Sequence, residues 1–287
     1  VKKSKVIVIL GPTATGKSDL AVKVAKKFNG EIISADSRQV YKGLDIGTGK
    51  ITKKEMQGVP HHLLDVVNPK RKFTVTEYQK KATKAISEIL TKGEVPIICG
   101  GTGFYIDTIT KGIVFPEVPP NIKLRKLLEK KSVEELAKIL RKLDKIRVGN
   151  IDVNNKVRLI RAIEIAKTLG KVPKIKENIP SCKFIKIGLY LPENLLNIKI
   201  ENRVTQMFKA GLLKEIKTLK NKGISDKRLR EFGFEYSDPT KEKVISATKK
   251  YVKRQMTWFK RDKSIVWFDA SKKNLDKEVF TLIRKDF

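Results

Sequence analysis

The run Val6-Ile7-Val8-Ile9-Leu10 and the Gly11-Pro12-Thr13-Ala14-Thr15-Gly16-Lys17-Ser18 that follows it decide the fold. The first part is short, apolar and mostly β-branched, the mark of a buried strand. The second matches G-x-x-x-x-G-K-[ST] without a mismatch. An amphipathic stretch comes next at helical spacing, through Leu20, Ala21, Val24, Ala25 and Phe28. Strand, glycine loop and helix together make an anion cradle. Backbone N–H groups and the positive end of the helix dipole face a polyphosphate, Lys17 adds a point charge, and Ser18 offers an oxygen to Mg²⁺. Whose phosphates the loop holds is left open at this point.

Working outward, Glu31-Ile32-Ile33-Ser34-Ala35 reads as a second strand running into Asp36-Ser37-Arg38-Gln39-Val40-Tyr41. A glycine-rich loop from Lys42 to Lys50 and the block Pro60-His61-His62-Leu63-Leu64-Asp65 follow. Thr76–Leu90 carries one apolar helical face. Val95–Cys99 is the next strand, and it runs into Gly100-Gly101-Thr102-Gly103-Phe104-Tyr105. Polar clusters just past strand ends are where doubly wound sheets place ligands. After a Pro-rich break at Pro116–Pro120 helical periods dominate, and residues 112–183 hold 18 basic against 8 acidic side chains. Phe184–Leu191 returns to the sheet, and one helix is predicted from Leu195 to Leu219, carrying Arg203. Lys227–Tyr236 reads as a loop, Val244–Lys260 as a long basic helix, Ile265–Phe268 as the last strand, and a short helix ends the chain. The expected architecture is α/β: a P-loop-type, doubly wound, mainly parallel sheet with a helical insertion domain. Residues 1–111 and 184–287 form its catalytic core and 112–183 the insertion.

With 63 Lys and Arg against 31 Asp and Glu in 287 residues, the formal net charge is +32. Such an excess sets up a long-range field for a polyanion, most simply nucleic acid, although a Lys-rich compositional bias accounts for part of it. Cys99 and Cys182 are too few for a zinc site or a disulfide framework, which fits a reducing cytoplasm. No apolar stretch approaches membrane-spanning length, so no membrane partner is expected.

Asp36 is the best candidate for a general base, taking a proton from a nucleophile brought to the cradle. An outer-shell ligand to Mg²⁺ and a helix cap are its competing roles. Thr102 and Arg203 would supply donors for charge building on a phosphate oxygen. Turn chemistry and a solvated helix face are their plainer readings. Adjacent His61 and His62 point apart, which favours packing over a shared metal. The strand Val95–Cys99 ends in glycines, not in the acidic pair of a nucleotide-hydrolysing switch, so the loop looks like that of a group-transfer enzyme.

The blocks Gly11–Ser18, Ser34–Lys50, Pro60–Asp65, Gly100–Tyr105, Asp152 with Arg158–Glu164, and Ala247–Phe259 together resemble the bacterial tRNA dimethylallyltransferase (tRNA isopentenyltransferase) family. The resemblance spans nearly the whole chain. It implies transfer of a dimethylallyl group from dimethylallyl diphosphate to the exocyclic N6 of the adenosine 3′-adjacent to the tRNA anticodon. Its implied catalytic residues are Asp36, Thr102 and Arg203. Gly11, Pro12, Thr13, Ala14, Thr15, Gly16, Lys17 and Ser18 would bind the diphosphate, with Ser18 on Mg²⁺. Asp36, Ser37, Arg38, Gln39, Thr102, Arg125, Arg158, Arg161, Arg230, Gly233 and Phe234 would touch the tRNA anticodon stem-loop, and a monomer is expected. One block departs from the family pattern: R-x-x-G-Y-[KR]-[EQ] stands here as Arg230-Glu231-Phe232-Gly233-Phe234-Glu235, followed by a shortened segment to Ala247. A P-loop small-molecule kinase, an isopentenyltransferase acting on free adenylates, and a non-catalytic RNA-binding protein are the rival readings.

Overall fold

The computed structural model describes residues 4–286; residues 1–3 and 287, counted in the core from sequence, lie outside that range. In chain order the elements are β1 (Lys5–Leu10), α1 (Lys17–Phe28), β2 (Gly30–Ser34), α2 (Lys53–Met56), β3 (His61–His62), α3 (Val75–Thr91), β4 (Val95–Gly100) and α4 (Gly103–Thr110). Then come β5 (Ile113–Val114), α5 (Ile122–Leu128), α6 (Val133–Leu143), α7 (Lys145–Gly149), α8 (Lys156–Leu169) and β6 (Lys176–Glu177). The chain closes with β7 (Lys183–Tyr190), α9 (Glu193–Lys209), α10 (Leu212–Asn221), α11 (Asp226–Phe232), a 3₁₀ turn (Phe234–Tyr236), α12 (Lys241–Phe259), β8 (Val266–Asp269) and α13 (Leu275–Asp286).

The larger sheet has six strands in the order β3-β2-β4-β1-β7-β8, and every pairing is parallel. Parallel strands are covered on both faces, so they read as continuous apolar runs with no polar alternation. Val6, Val8 and Leu10 of β1 pack with Ile33, Ile98 and the helices bearing Tyr78, Ala82, Tyr105 and Phe259. Ile7 and Ile9 point the other way, onto Leu20, Val24 and Ala25 of α1 and Val279 and Ile283 of α13. Val6, Ile7, Val8 and Ile9 are fully buried, and each stabilises the fold by roughly 1.5–3 kcal/mol. Because all strands run one way, Leu10, Ser34 and Gly100 end on the same edge. The chain leaves β1 toward β2 and returns to its other side with β7, so the sheet order turns about β1. That is where a doubly wound sheet opens a crevice.

The expected P-loop-type α/β architecture is therefore present, with two local corrections. The single helix predicted from Leu195 to Leu219 is two, α9 and α10. The apolar period runs through both, but Gly211 between them adopts φ 100°, a left-handed conformation that ends one helix and starts the next. The segment Lys227–Tyr236, read as a loop, is largely helical. The Ser225 hydroxyl accepts from Arg228 N at 3.2 Å and caps α11.

The described residues divide into two compact units: 4–112 together with 179–286, and Ile113–Asn178. Gly112 and residues 179–183, placed with the insertion from sequence, group with the larger unit, where Lys183 N donates to Ser4 O at 2.8 Å. The smaller unit packs Leu128, Leu136, Leu140, Leu159 and Ile163 into its own core. Its buried Glu164 takes a two-point contact from Arg125 (2.9 and 2.7 Å) and another from Arg161 (2.5 Å). No helix among the described residues is long and apolar enough to cross a membrane.

Candidate active site

A cavity of about 320 Å³ opens at the carboxyl ends of β1, β2 and β4, lined by residues of the larger unit alone. One wall is the loop between β1 and α1. Ala14 sits at φ 65° and Gly16 at φ 81°, so the backbone curls back on itself. For Ala14 this left-handed conformation costs about 1–2 kcal/mol, a strain typical of ligand clamps. The Thr15 hydroxyl donates to Pro12 O at 2.9 Å and holds the curl. Gly16 caps α1 with no side-chain bond, which leaves the first N–H groups of the helix to an anion. Lys17 Nζ donates to Pro12 O at 2.5 Å and also reaches Thr15 Oγ1 at 3.5 Å. Burial pulls the Lys17 ammonium down to about 8, with Arg203 adding to the shift and Cys99 and Asp36 opposing it.

Across the cavity stands the turn after β2. Asp36 Oδ1 accepts from Arg38 N at 2.8 Å and Gln39 N at 3.2 Å, so it caps a turn over residues 37–40 where a helix cap was the competing expectation. Among the described residues nothing hydrogen-bonds Oδ2, and Asp36 lines the cavity. The carboxylate therefore caps with one oxygen and keeps the other available. Thr102 Oγ1 accepts from Ser37 N at 3.0 Å, which ties the start of α4 to the same turn. The Arg38 guanidinium donates to Glu235 Oε2 at 2.6 Å and lies over the rings of Phe234 (5.4 Å) and Tyr251 (5.7 Å). Burial pushes the Glu235 carboxyl up, against the pull of Arg38. Arg203 donates from Nη2 to Thr48 O at 3.3 Å, and burial lowers its pKa while Asp36 opposes the shift.

Of the residues singled out from sequence, Thr13, Ala14, Gly16, Lys17, Ser18, Asp36, Ser37, Arg38, Gln39, Arg203 and Phe234 line the cavity. Gly11, Pro12, Thr15, Thr102 and Gly233 do not line it. Arg230 is solvent-exposed. Arg125, Arg158 and Arg161 belong to the smaller unit, where the first and last are turned onto Glu164 and Arg158 is exposed. His61 and His62 do point apart: His61 Nδ1 bonds Val59 O at 2.8 Å and His62 Nε2 bonds Glu31 at 2.5 Å.

Sequence reading takes Glu235 and Tyr251 only as parts of longer blocks, one set against tRNA and one a basic helix with aromatics, and gives Gln255 no role of its own. Gln255 is buried on a face of α12 otherwise made of Val244, Thr248, Val252 and Phe259. Its Oε1 accepts from Thr13 N at 3.1 Å and its Nε2 donates to Gly101 O at 2.9 Å, clamping the phosphate loop to the end of β4. A lone amide on an apolar helical stripe was the available signal.

An IPP transferase family model matches residues 39–262. The chain belongs to that family. The tRNA dimethylallyltransferases of Anoxybacillus flavithermus and Caldanaerobacter subterraneus subsp. tengcongensis are 39% and 40% identical to it, covering 93% and 92% of this chain and 91% of each relative. The crystal structure of the tRNA isopentenylpyrophosphate transferase of Bacillus halodurans superposes with a TM-score of 0.74 at 34% identity, over 99% of this chain and 96% of that one. A eukaryotic dimethylallyltransferase acting on tRNA superposes at 0.81 with 27% identity, over 99% and 79%. For a member of the IPP transferase family, the cavity donors suit Mg²⁺. They are oxygens from Ser18, Asp19 and Asp36, and the described residues hold no cluster of three or more His, Cys, Asp or Glu. Mg²⁺ needs no such cage, because it binds through one or two protein oxygens together with substrate phosphates.

Proposed function

We propose that this cavity transfers a dimethylallyl group from dimethylallyl diphosphate to the exocyclic N6 of the adenosine 3′-adjacent to the anticodon in tRNA, releasing diphosphate. The observation that carries this reading is the pairing of an uncapped phosphate loop with a carboxylate oxygen free to act as base, in one cavity. The diphosphate sits against the N–H groups of residues 14–18, with Lys17 as its point charge. The adenine N6 attacks the allylic carbon. The new N6–C bond forms as the C–O bond to diphosphate breaks, and that electron pair leaves on the diphosphate oxygen. The N6 proton passes to Asp36 Oδ2. Arg203 and Lys17 stabilise the charge gathering on the departing diphosphate, while Thr102 holds the Ser37 amide and so keeps Asp36 in place. Ser18 would hold Mg²⁺, which would supply further charge neutralisation.

An adenine stacked within the anticodon loop is out of reach, so it must be extruded into the cavity, at a cost of a few kcal/mol, roughly. Phe234 and Tyr251 offer it aromatic faces once Arg38 turns from them to a phosphate. Arg158 and Arg230, exposed and basic, contact the tRNA backbone. Arg125 and Arg161 serve the RNA indirectly, by holding the helices of the smaller unit through Glu164.

The deciding experiment is mass spectrometry of nucleosides from tRNA incubated with the protein, dimethylallyl diphosphate and Mg²⁺. N6-dimethylallyladenosine is the expected product. Transfer of the γ-phosphate of ATP would establish a kinase instead, and equal activity on free AMP would establish a free-adenylate enzyme.

A further inference from the structure

The loop Asp45-Ile46-Gly47-Thr48-Gly49 forms part of the cavity wall through Gly47, Thr48 and Gly49, and it is held from behind by one carboxylate. Glu215 of α10 lies outside the lining. Its Oε2 accepts from Asp45 N at 3.0 Å and Ile46 N at 2.8 Å, and its Oε1 from Gly47 N at 3.1 Å. Successive backbone N–H groups converging on one anion form a nest, and bonds of this kind to an ionised acceptor are roughly twice as strong as neutral ones. Oε1 also accepts from Tyr236 Oη at 2.9 Å. Tyr236 closes the 3₁₀ turn that presents Phe234 and Glu235 to Arg38. One side chain thus ties two walls of the cavity together.

What the loop does on its other side gives this tie its consequence. Thr48 O accepts from Arg203 Nη2, and Thr48 O and Gly49 O both face Gln39 Nε2 at 3.4 Å. Gly49, at φ 56°, lies so close to the Arg203 guanidinium that a Cβ there would collide with it. Residues 48 and 49 therefore decide where the Arg203 guanidinium can rest, and Glu215 decides where residues 45–47 rest.

We propose that Glu215 is a positioning residue for the transfer reaction, holding residues 45–49 and the Phe234–Tyr236 turn in the arrangement that aims Arg203 into the cavity. This rests on the assignment of Arg203 to the departing diphosphate. The test is a double-mutant cycle of Glu215→Gln and Arg203→Gln, read as kcat and KM for both substrates. In the wild-type background Glu215→Gln should lower kcat about tenfold with the tRNA KM changed by less than about threefold; in the Arg203→Gln background its effect should shrink to under about twofold. The same factor in both backgrounds would overturn the proposal, because a purely structural loss is indifferent to Arg203. An Arg203→Gln variant with wild-type kcat would overturn the assignment of Arg203, and the route proposed for Glu215 with it. Tyr236→Phe removes one of the four bonds and spares the nest, so it provides the same cycle in a protein that folds. A loss of about threefold that disappears beside Arg203→Gln supports the proposal, and a loss that persists overturns it.

Discussion

Asp36 presents its oxygens to different tasks, Oδ1 to the amides of Arg38 and Gln39 and Oδ2 to the cavity. An amide in its place keeps an oxygen for the cap and loses the base. Asp36→Asn should therefore fold with an unchanged unfolding midpoint while kcat drops about 10²–10⁴-fold, checked by single-turnover transfer to tRNA. Asp36→Ala should lose the same activity and also about 1 kcal/mol of stability through the missing cap. Lys17 gives a pH dependence with a defined sign. Burial holds its ammonium near 8 in the free protein, and a bound diphosphate raises that value. Below pH 8 free and bound forms are both charged, so affinity is level. Above it, binding must take up a proton, and affinity falls by up to about tenfold per pH unit until the raised pKa is reached. Calorimetry with dimethylallyl diphosphate between pH 7 and 9.5 checks this, and Lys17→Arg, which stays charged, should flatten the profile. The glycine loop and Asp36 were legible in sequence because their chemistry is local: spacing alone brings the N–H groups and the ammonium together. The split between the two oxygens of Asp36 was not legible, since it depends on where the following turn points.

At the level of elements, α9 and α10 show how an apolar period can hide a break. Val204, Met207, Leu212, Ile216 and Leu219 are all buried at helical spacing, yet Gly211 turns left-handed between them. A side chain there meets the left-handed penalty, so Gly211→Ala should destabilise the protein by about 1–2 kcal/mol. Urea unfolding followed by circular dichroism reads that loss directly, and because α10 carries Glu215, kcat should fall as well. The same break is what lets α10 swing its Glu215 onto residues 45–47 while α9 points Arg203 at residue 48. Likewise α12 was legible as a helix from its period, but the work of its Gln255 was not. Its partners, Thr13 and Gly101, lie 242 and 154 residues away.

Across the whole molecule the charge of +32 makes a prediction of its own. Neutralising tRNA phosphates releases counterions, so affinity for tRNA should fall at least about 10²-fold between 50 and 200 mM salt. Filter binding at several salt concentrations checks it, and a level response would separate the charge from RNA binding. By itself the sequence determined the α/β architecture, the phosphate loop and the candidate base. Each of these rests on short-range patterns: continuous apolar strands buried on both faces, glycines that free the backbone, and a polar cluster at a strand end. Tertiary structure alone decided how the cavity is held. Glu215 on the nest of residues 45–47, Gln255 between two loops, and Glu235 on Arg38 are long-range polar contacts inside a low-dielectric interior. Such contacts are strong where the fold brings the partners together and leave no periodicity in the chain.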